Sequence, residues 1–217
     1  IITYNQQDTI ISAFNSAVNQ TLSPYKISVY DDCSTDNTFS LLNNIEIKEC
    51  IDVSLYQNSR NLGIFNNFNQ AIDNAKGNII CFLAGDDEFE VDLLENINEY
   101  IKKNDIDITV PVWIIPNIKL IYSDGRIEKV YHSKYVNLSS FELILSGKIR
   151  SFEVGLSNSA IRESRIRTDC GYQADNLKSL LLAKSAKIYL ADFFGYKYHA
   201  DLGVTYNSRR TDLLLSR

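Results

Sequence analysis

Two clusters of acidic residues stand where short apolar runs end. Asp31-Asp32-Cys33-Ser34-Thr35-Asp36 directly follows Ile27-Ser28-Val29-Tyr30, and Gly85-Asp86-Asp87 directly follows Ile79-Ile80-Cys81-Phe82-Leu83-Ala84. In an open α/β sheet, ligands bind outside the carboxyl ends of the strands, so carboxylates carried there converge on one crevice. Neighbouring carboxylates repel each other, and keeping them ionised calls for a cation or hydrogen-bond donors close by. The chemistry this pattern points to is a divalent metal carrying a phosphorylated ligand.

The elements that must position these groups are legible as alternating periods. After Ile1-Ile2, Asp8 is a candidate cap for a helix whose apolar positions Ile10, Phe14, Ala17 and Val18 share a face. Lys26 to Tyr30 reads as a strand, and Ser34 or Asp36 as the N-cap of a helix carrying Phe39, Leu41 and Leu42. Ile51 to Tyr56 is a third strand, and a helix from about Ile64 to Gly77 follows. Asn78 to Ala84 reads as a strand covered on both faces, and a further helix carries Val91, Leu94, Ile97 and Ile101. This alternation predicts βαβ units and a mostly parallel sheet.

From about Asp105 the pattern loosens. Ile106 to Ile115 and Ile118 to Tyr122 are strand-like, and Ser123-Asp124-Gly125-Arg126 turns into Ile127 to Tyr131 as a hairpin. Ser139 to Leu145 and Asp175 to Lys184 have helical spacing, and Lys187 to Leu190 is strand-like. We expect residues 1–104 to form a nucleotide-type half and 105–217 a substrate half of one domain.

Composition narrows the classes further. With 45% hydrophobic and 23% charged residues, the chain of 217 has enough apolar side chain for a sizeable core. A net charge of −5 gives no general attraction to nucleic acid. No apolar run reaches the ~20 residues that cross a bilayer, so membrane contact is expected to be peripheral. The four cysteines, Cys33, Cys50, Cys81 and Cys170, lack metal-ligand spacing and suit reduced thiols. The sequence contains no methionine and opens inside a strand-like run, which reads as a fragment or an incomplete sequence.

In order and spacing, Thr3-Tyr4-Asn5, Asp31-Asp32-Cys33-Ser34-Thr35-Asp36, Asn61-Leu62-Gly63 and Gly85-Asp86-Asp87 resemble the family 2 glycosyltransferases across about the first 100 residues. Gln173-Ala174-Asp175-Asn176 and Ala186-Lys187-Ile188-Tyr189-Leu190 extend the likeness more faintly. The resemblance implies a GT-A fold, a Rossmann-like, mostly parallel sheet flanked by helices, with an acceptor-side α+β half. It also implies inverting transfer of a sugar from a nucleoside-diphosphate sugar to a saccharide or lipid-linked acceptor, in bacterial surface polysaccharide assembly. The expected place is the cytoplasm, at the inner face of the cell membrane where contact occurs. Because the QxxRW pattern of processive synthases is absent, chain-extruding synthesis is not expected.

Residue by residue, the resemblance assigns Asp32 to the donor's base ring, Thr3 and Tyr4 to its flanks, and Asn61 to the base or phosphate. Asp86 would contact ribose, while Asp87, together with His199, would hold Mg²⁺ or Mn²⁺. Asp175 would be the general base on the acceptor hydroxyl, with Glu153 and Asp169 next in line. Plainer roles compete: Asp31, Asp32, Asp36 and Asp175 are also suited to capping helices, Tyr4 to the core, and His132 and His199 to the surface or packing. Where the family often has Asp, Ala84 stands, and Ala174 replaces the first of an acidic pair. Those two alanines keep open a degenerate carbohydrate-binding or scaffolding protein. A sugar nucleotidyltransferase is the other alternative, although Tyr4-Asn5-Gln6-Gln7 replaces the Gly-rich phosphate loop it calls for.

Overall fold

The structure, a computed structural model, describes residues 1–46, 51–146, 154–163, 165 and 174–202. Strand β1 (Ile2–Thr3) is followed by α1 (Ile10–Val18), β2 (Ile27–Asp31), α2 (Thr38–Asn43), β3 (Val53–Gln57) and α3 (Ile64–Asn74). These strands form a parallel sheet in the order β1-β2-β3. Then come β4 (Ile79–Ile80), β5 (Glu88–Phe89), α4 (Leu93–Lys103), β6 (Val112–Ile121) and β7 (Ile127–Val130). A short 3₁₀ turn (Ser133–Tyr135), α5 (Ser140–Leu145), β8 (Leu156–Ser157), α6 (Asn158–Glu163), α7 (Ala174–Ser185) and β9 (Lys187–His199) complete the described elements. A second, mixed sheet runs β4-β8-β6-β9-β5, with β7 on β6.

Backbone bonds from Ile2 N to Leu83 O and from Gly85 N to Ile2 O join the two sheets, so β1 lies between β2 and residues 83–85. The run Asn78 to Ala84 is therefore not one strand. Its first part pairs with β8 and its last part with β1, and residues 79–81 are only half-buried.

Alternation along the strands sends side chains to two helical layers. Val29, Leu83 and Ile114 pack with Ile10 and Phe14 of α1 and Leu93 and Ile97 of α4. Tyr30, Phe82 and Trp113 face the other way, toward Phe68 and Ile72 of α3, Ile161 of α6 and Leu182 of α7.

Several local expectations shift. The cap of α1 is Thr9, not Asp8, and its hydroxyl donates to Gly85 O at 2.8 Å instead of capping the helix. Helix α4 begins after Val91, which is 56% exposed and outside the apolar face. Residues 106–111 form no strand, and β6 instead runs unbroken through Pro116 to Ile121. Proline lacks a ladder N–H, and the register with β9 slips on both sides of Asn117. Glycine is required opposite that slip: a Cβ on Gly195 would stand 2.6 Å from Leu93 Cδ1 and 2.8 Å from Pro116 Cγ. The hairpin at Ser123 to Arg126 forms as expected, with Gly125 at φ +83°.

Candidate active site

The pairing register decides where the acidic clusters stand. Thr3 is opposite Asp31 on one side of β1, and Ile2 is opposite Ala84 on the other, all parallel. Asp31-Asp32 and Gly85-Asp86-Asp87 therefore emerge at the same carboxyl edge, across the end of β1 from each other.

At the first cluster, both acids are buried and bound within the fold. Asp31 accepts from Ser34 N at 3.0 Å, from Ser34 Oγ and from Gln57 Nε2 at 3.0 Å. Asp32 is 3% exposed. Its Oδ1 accepts from Asn58 Nδ2 and Leu62 N, and its Oδ2 from Gly63 N, each at 2.8 Å. The carboxylate thus holds the Asn61-Leu62-Gly63 turn at the start of α3, where Gly63 adopts φ +83°. An ionised carboxylate has about four acceptor positions, so a further donor is still accommodated.

Thr3 is buried and donates to Gln6 Oε1 at 2.8 Å, while Tyr4 is 42% exposed and is no core tyrosine. Asn61 is exposed and accepts from Gly63 N at 2.9 Å. Asn5, at φ +52°, donates its N–H to Ser34 Oγ and accepts on Oδ1 from Thr35 N, which clasps the loops after β1 and β2 together. Against the upward pull of burial, the hydroxyl of Thr38, then Thr38 N and Gln7 N, donate to Asp36 and hold its carboxyl below the usual range.

The second cluster meets the end of β9. Asp87 is 3% exposed, and its Oδ2 accepts from Tyr196 Oη while its Oδ1 accepts from His199 N, both at 2.9 Å. Burial, and next the charge of Asp86, push its pKa up from 3.8 to about 7. Asp86 is half-buried beside the Gln6 side chain and the His199 ring, and burial raises its pKa as well. His199 Nε2 lies 3.4 Å from Glu88 Oε1, and Lys197 Nζ lies 3.2 Å from Glu88 Oε2.

Two desolvated carboxylates, with the charge of Asp86 raising the proton affinity of Asp87, form the kind of donor set a hard divalent cation relieves. Among the described residues no group of three or more ligating side chains converges. The protein side would therefore supply only part of a coordination sphere, as suits Mg²⁺ or Mn²⁺ that also takes phosphate oxygens and water.

Asp175 is the second residue of α7, and its side chain lies outside the described residues, as do Glu153 and Asp169. Buried His132 gives Nδ1 to Pro116 O at 2.7 Å and belongs to packing. Two groups around the carboxylates, Gln6 and Glu88, were not anticipated. Tyr196 opens the run Tyr196-Lys197-Tyr198-His199, which resembles a segment that family 2 glycosyltransferases place near the active-site rim. A cavity of about 780 Å³, lined by Ile1, Lys26, Gly77 and Ile79 among others, opens at the amino-terminal ends of β2 and β4, away from these acids.

Residues 1–153 match the family described as Glycosyl transferase family 2. The UDP-Glc:alpha-D-GlcNAc-diphosphoundecaprenol beta-1,3-glucosyltransferase WfaP of Escherichia coli is 34% identical over 96 residues, 44% of this chain and 37% of that protein. The chain thus spans well under two thirds of that relative. Among solved structures, S. aureus TarS 1-349 in complex with UDP-GlcNAc superposes at TM-score 0.69 and 18% identity, over 95% of this chain and 59% of that one. The mannosyltransferase PcManGT from Pyrobaculum calidifontis, in complex with GDP-Man and Mn2+, does so at 0.64 and 18%, over 96% and 58%. At these identities the structural likeness establishes the fold, which is GT-A.

Proposed function

Because the chain belongs to glycosyl transferase family 2, whose members invert the transferred sugar, we propose that it moves a sugar from a nucleoside-diphosphate donor to a hydroxyl of a saccharide or lipid-linked acceptor. The observation that carries this reading is the meeting of Asp86-Asp87 with Asp32 and Thr3 at one carboxyl edge. The named donors of the relative and the two structural neighbours, UDP-Glc, UDP-GlcNAc and GDP-Man, support a nucleoside-diphosphate sugar. WfaP's diphosphoundecaprenol acceptor supports a lipid-linked one, and with it a role in surface polysaccharide assembly.

Asp32 and Thr3 line the base side, with Tyr4 exposed beside them and Asn61 at the rim. Asp87 and His199 are the residues that would hold Mg²⁺ or Mn²⁺, and the Mn2+ in the PcManGT complex supports that choice. On this reading Asp87 would hold the cation, and Asp86, the more accessible of the two, would reach the ribose. When bound, such a cation neutralises the charge developing on the departing diphosphate. Asp175, in the first turn of α7, takes the proton from the acceptor hydroxyl as it attacks the anomeric carbon.

Incubation with UDP- and GDP-sugars, with and without Mn²⁺, tests the reading through donor binding by calorimetry and slow release of free sugar. Metal-dependent binding and hydrolysis are expected. Binding without hydrolysis in the presence of acceptors would favour a carbohydrate-binding protein, and no nucleotide binding at all would overturn the proposal.

A further inference from the structure

We infer that Tyr196 is a positioning residue for the cation site, an inference that rests on the function proposed above. Its hydroxyl donates to Asp87 Oδ2 at 2.9 Å, and the His199 N–H donates to the other oxygen, so β9 fixes the plane of the Asp87 carboxylate from both sides. Asp86 and Glu88 flank Asp87 in sequence, and an unheld carboxylate between two acids would turn away from them.

The hydroxyl is delivered by a frame with little freedom. Tyr196 is 2% exposed and meets the Phe89 ring edge-on at 5.8 Å, with the two residues paired across β5 and β9. Gly195 before it sits close against Leu93 and Pro116, where a Cβ would meet both. Outer donors that orient a metal-binding carboxylate typically matter by about 10–100-fold in metal affinity. Tyr196 acts through Asp87.

The substitution Tyr196→Phe removes the one O–H and keeps the ring against Phe89. Mn²⁺ affinity is measured on the whole chain, by the electron paramagnetic resonance of free Mn²⁺, with UDP or GDP present in parallel samples. The melting temperature in metal-free buffer is measured alongside it. Expected is a loss of Mn²⁺ affinity of about 10–100-fold in a protein that still melts cooperatively. A folded variant that binds Mn²⁺ as the wild type does would overturn the role, and leave Tyr196 as packing.

Should the phenylalanine variant not fold, 3-fluorotyrosine at position 196 keeps the ring and a more acidic hydroxyl. Altered Mn²⁺ affinity would then support the inference, and unaltered affinity would overturn it. Wild-type protein that binds Mn²⁺ with neither nucleotide overturns the proposed function, and this inference with it. Wild-type binding with an unchanged variant overturns this inference alone.

Discussion

A carboxylate that is 3% exposed and lies beside two further acids costs the fold free energy unless donors or a cation reach it. Asp87 has two donors, and still its proton is held to about pH 7 instead of 3.8. Between those values the folded state binds more protons than the unfolded state, so this group's contribution makes stability fall as pH rises. Asp87→Asn carries no such proton, and it can still accept from His199 N while pairing with Tyr196. Calorimetry from about pH 4 to pH 8 in metal-free buffer should show wild-type melting decline relative to the variant up to about pH 7 and run parallel above it. At the alkaline end, Mn²⁺ with a nucleoside diphosphate should raise the melting of the wild type alone. Curves parallel throughout would show that burial places no such load on Asp87. Asp32 marks how far residue-level reading reaches. Its type and place at a strand end gave the edge of the crevice, but its bonds to Leu62 and Gly63 span 30 and 31 residues, and no local pattern encodes such a contact.

At the scale of elements, β2, β3 and the helices α1 to α4 were legible because each shows one clear period over its length, whereas the run Asn78 to Ala84 divides between two partners. The second half was less so. Strand β6 carries Pro116 in its middle, an ordinary breaker that is tolerated here because the register with β9 slips beside it. Two-residue strands such as β5 and β8 are too short to show any period, and they exist through their partners in β9, β4 and β6. Helix α7 did show its spacing, and its place bears on the base. Lys178, in its second turn, sits 4.6 Å from the Phe68 ring of α3, the helix whose start Asp32 holds at the carboxyl edge. Helix α7, which carries Asp175 in its first turn, thus touches α3 through Lys178. Asp175→Asn keeps size and most helix-start hydrogen bonding while removing the proton acceptor. Transfer to the native acceptor should fall about 10²–10⁴-fold with donor affinity retained. Normal transfer by this variant would move the base to another carboxylate.

For the whole molecule, the sheets do not respect a division at residue 104. Strand β4 pairs with β8, and β5 with β9, so elements from before and after that point interleave. The apolar layers do the same: Leu83, Phe89 and Leu93 pack with Val112, Ile114 and Tyr196 in one cluster, and Phe68 and Phe82 with Trp113 and Leu156 in the other. A piece ending at residue 104 would leave the edges of β4 and β5 unpaired, strip both apolar faces of cover and deprive buried Asp87 of both its donors. Each unsatisfied buried polar group costs roughly 1–3 kcal/mol, and the apolar loss adds about 25 cal/mol for every Å² returned to water. Against a net stability of about 5–15 kcal/mol for a typical domain, losses of this kind weigh heavily on α1 to α4 alone. Residues 1–104 expressed alone should therefore show little amide protection in hydrogen exchange and no cooperative melt, while the whole chain melts in a single transition. If the piece instead melts cooperatively and binds nucleotide with Mn²⁺, the donor side is an independent unit, and the bonds from β9 to Asp87 are not needed to build the site.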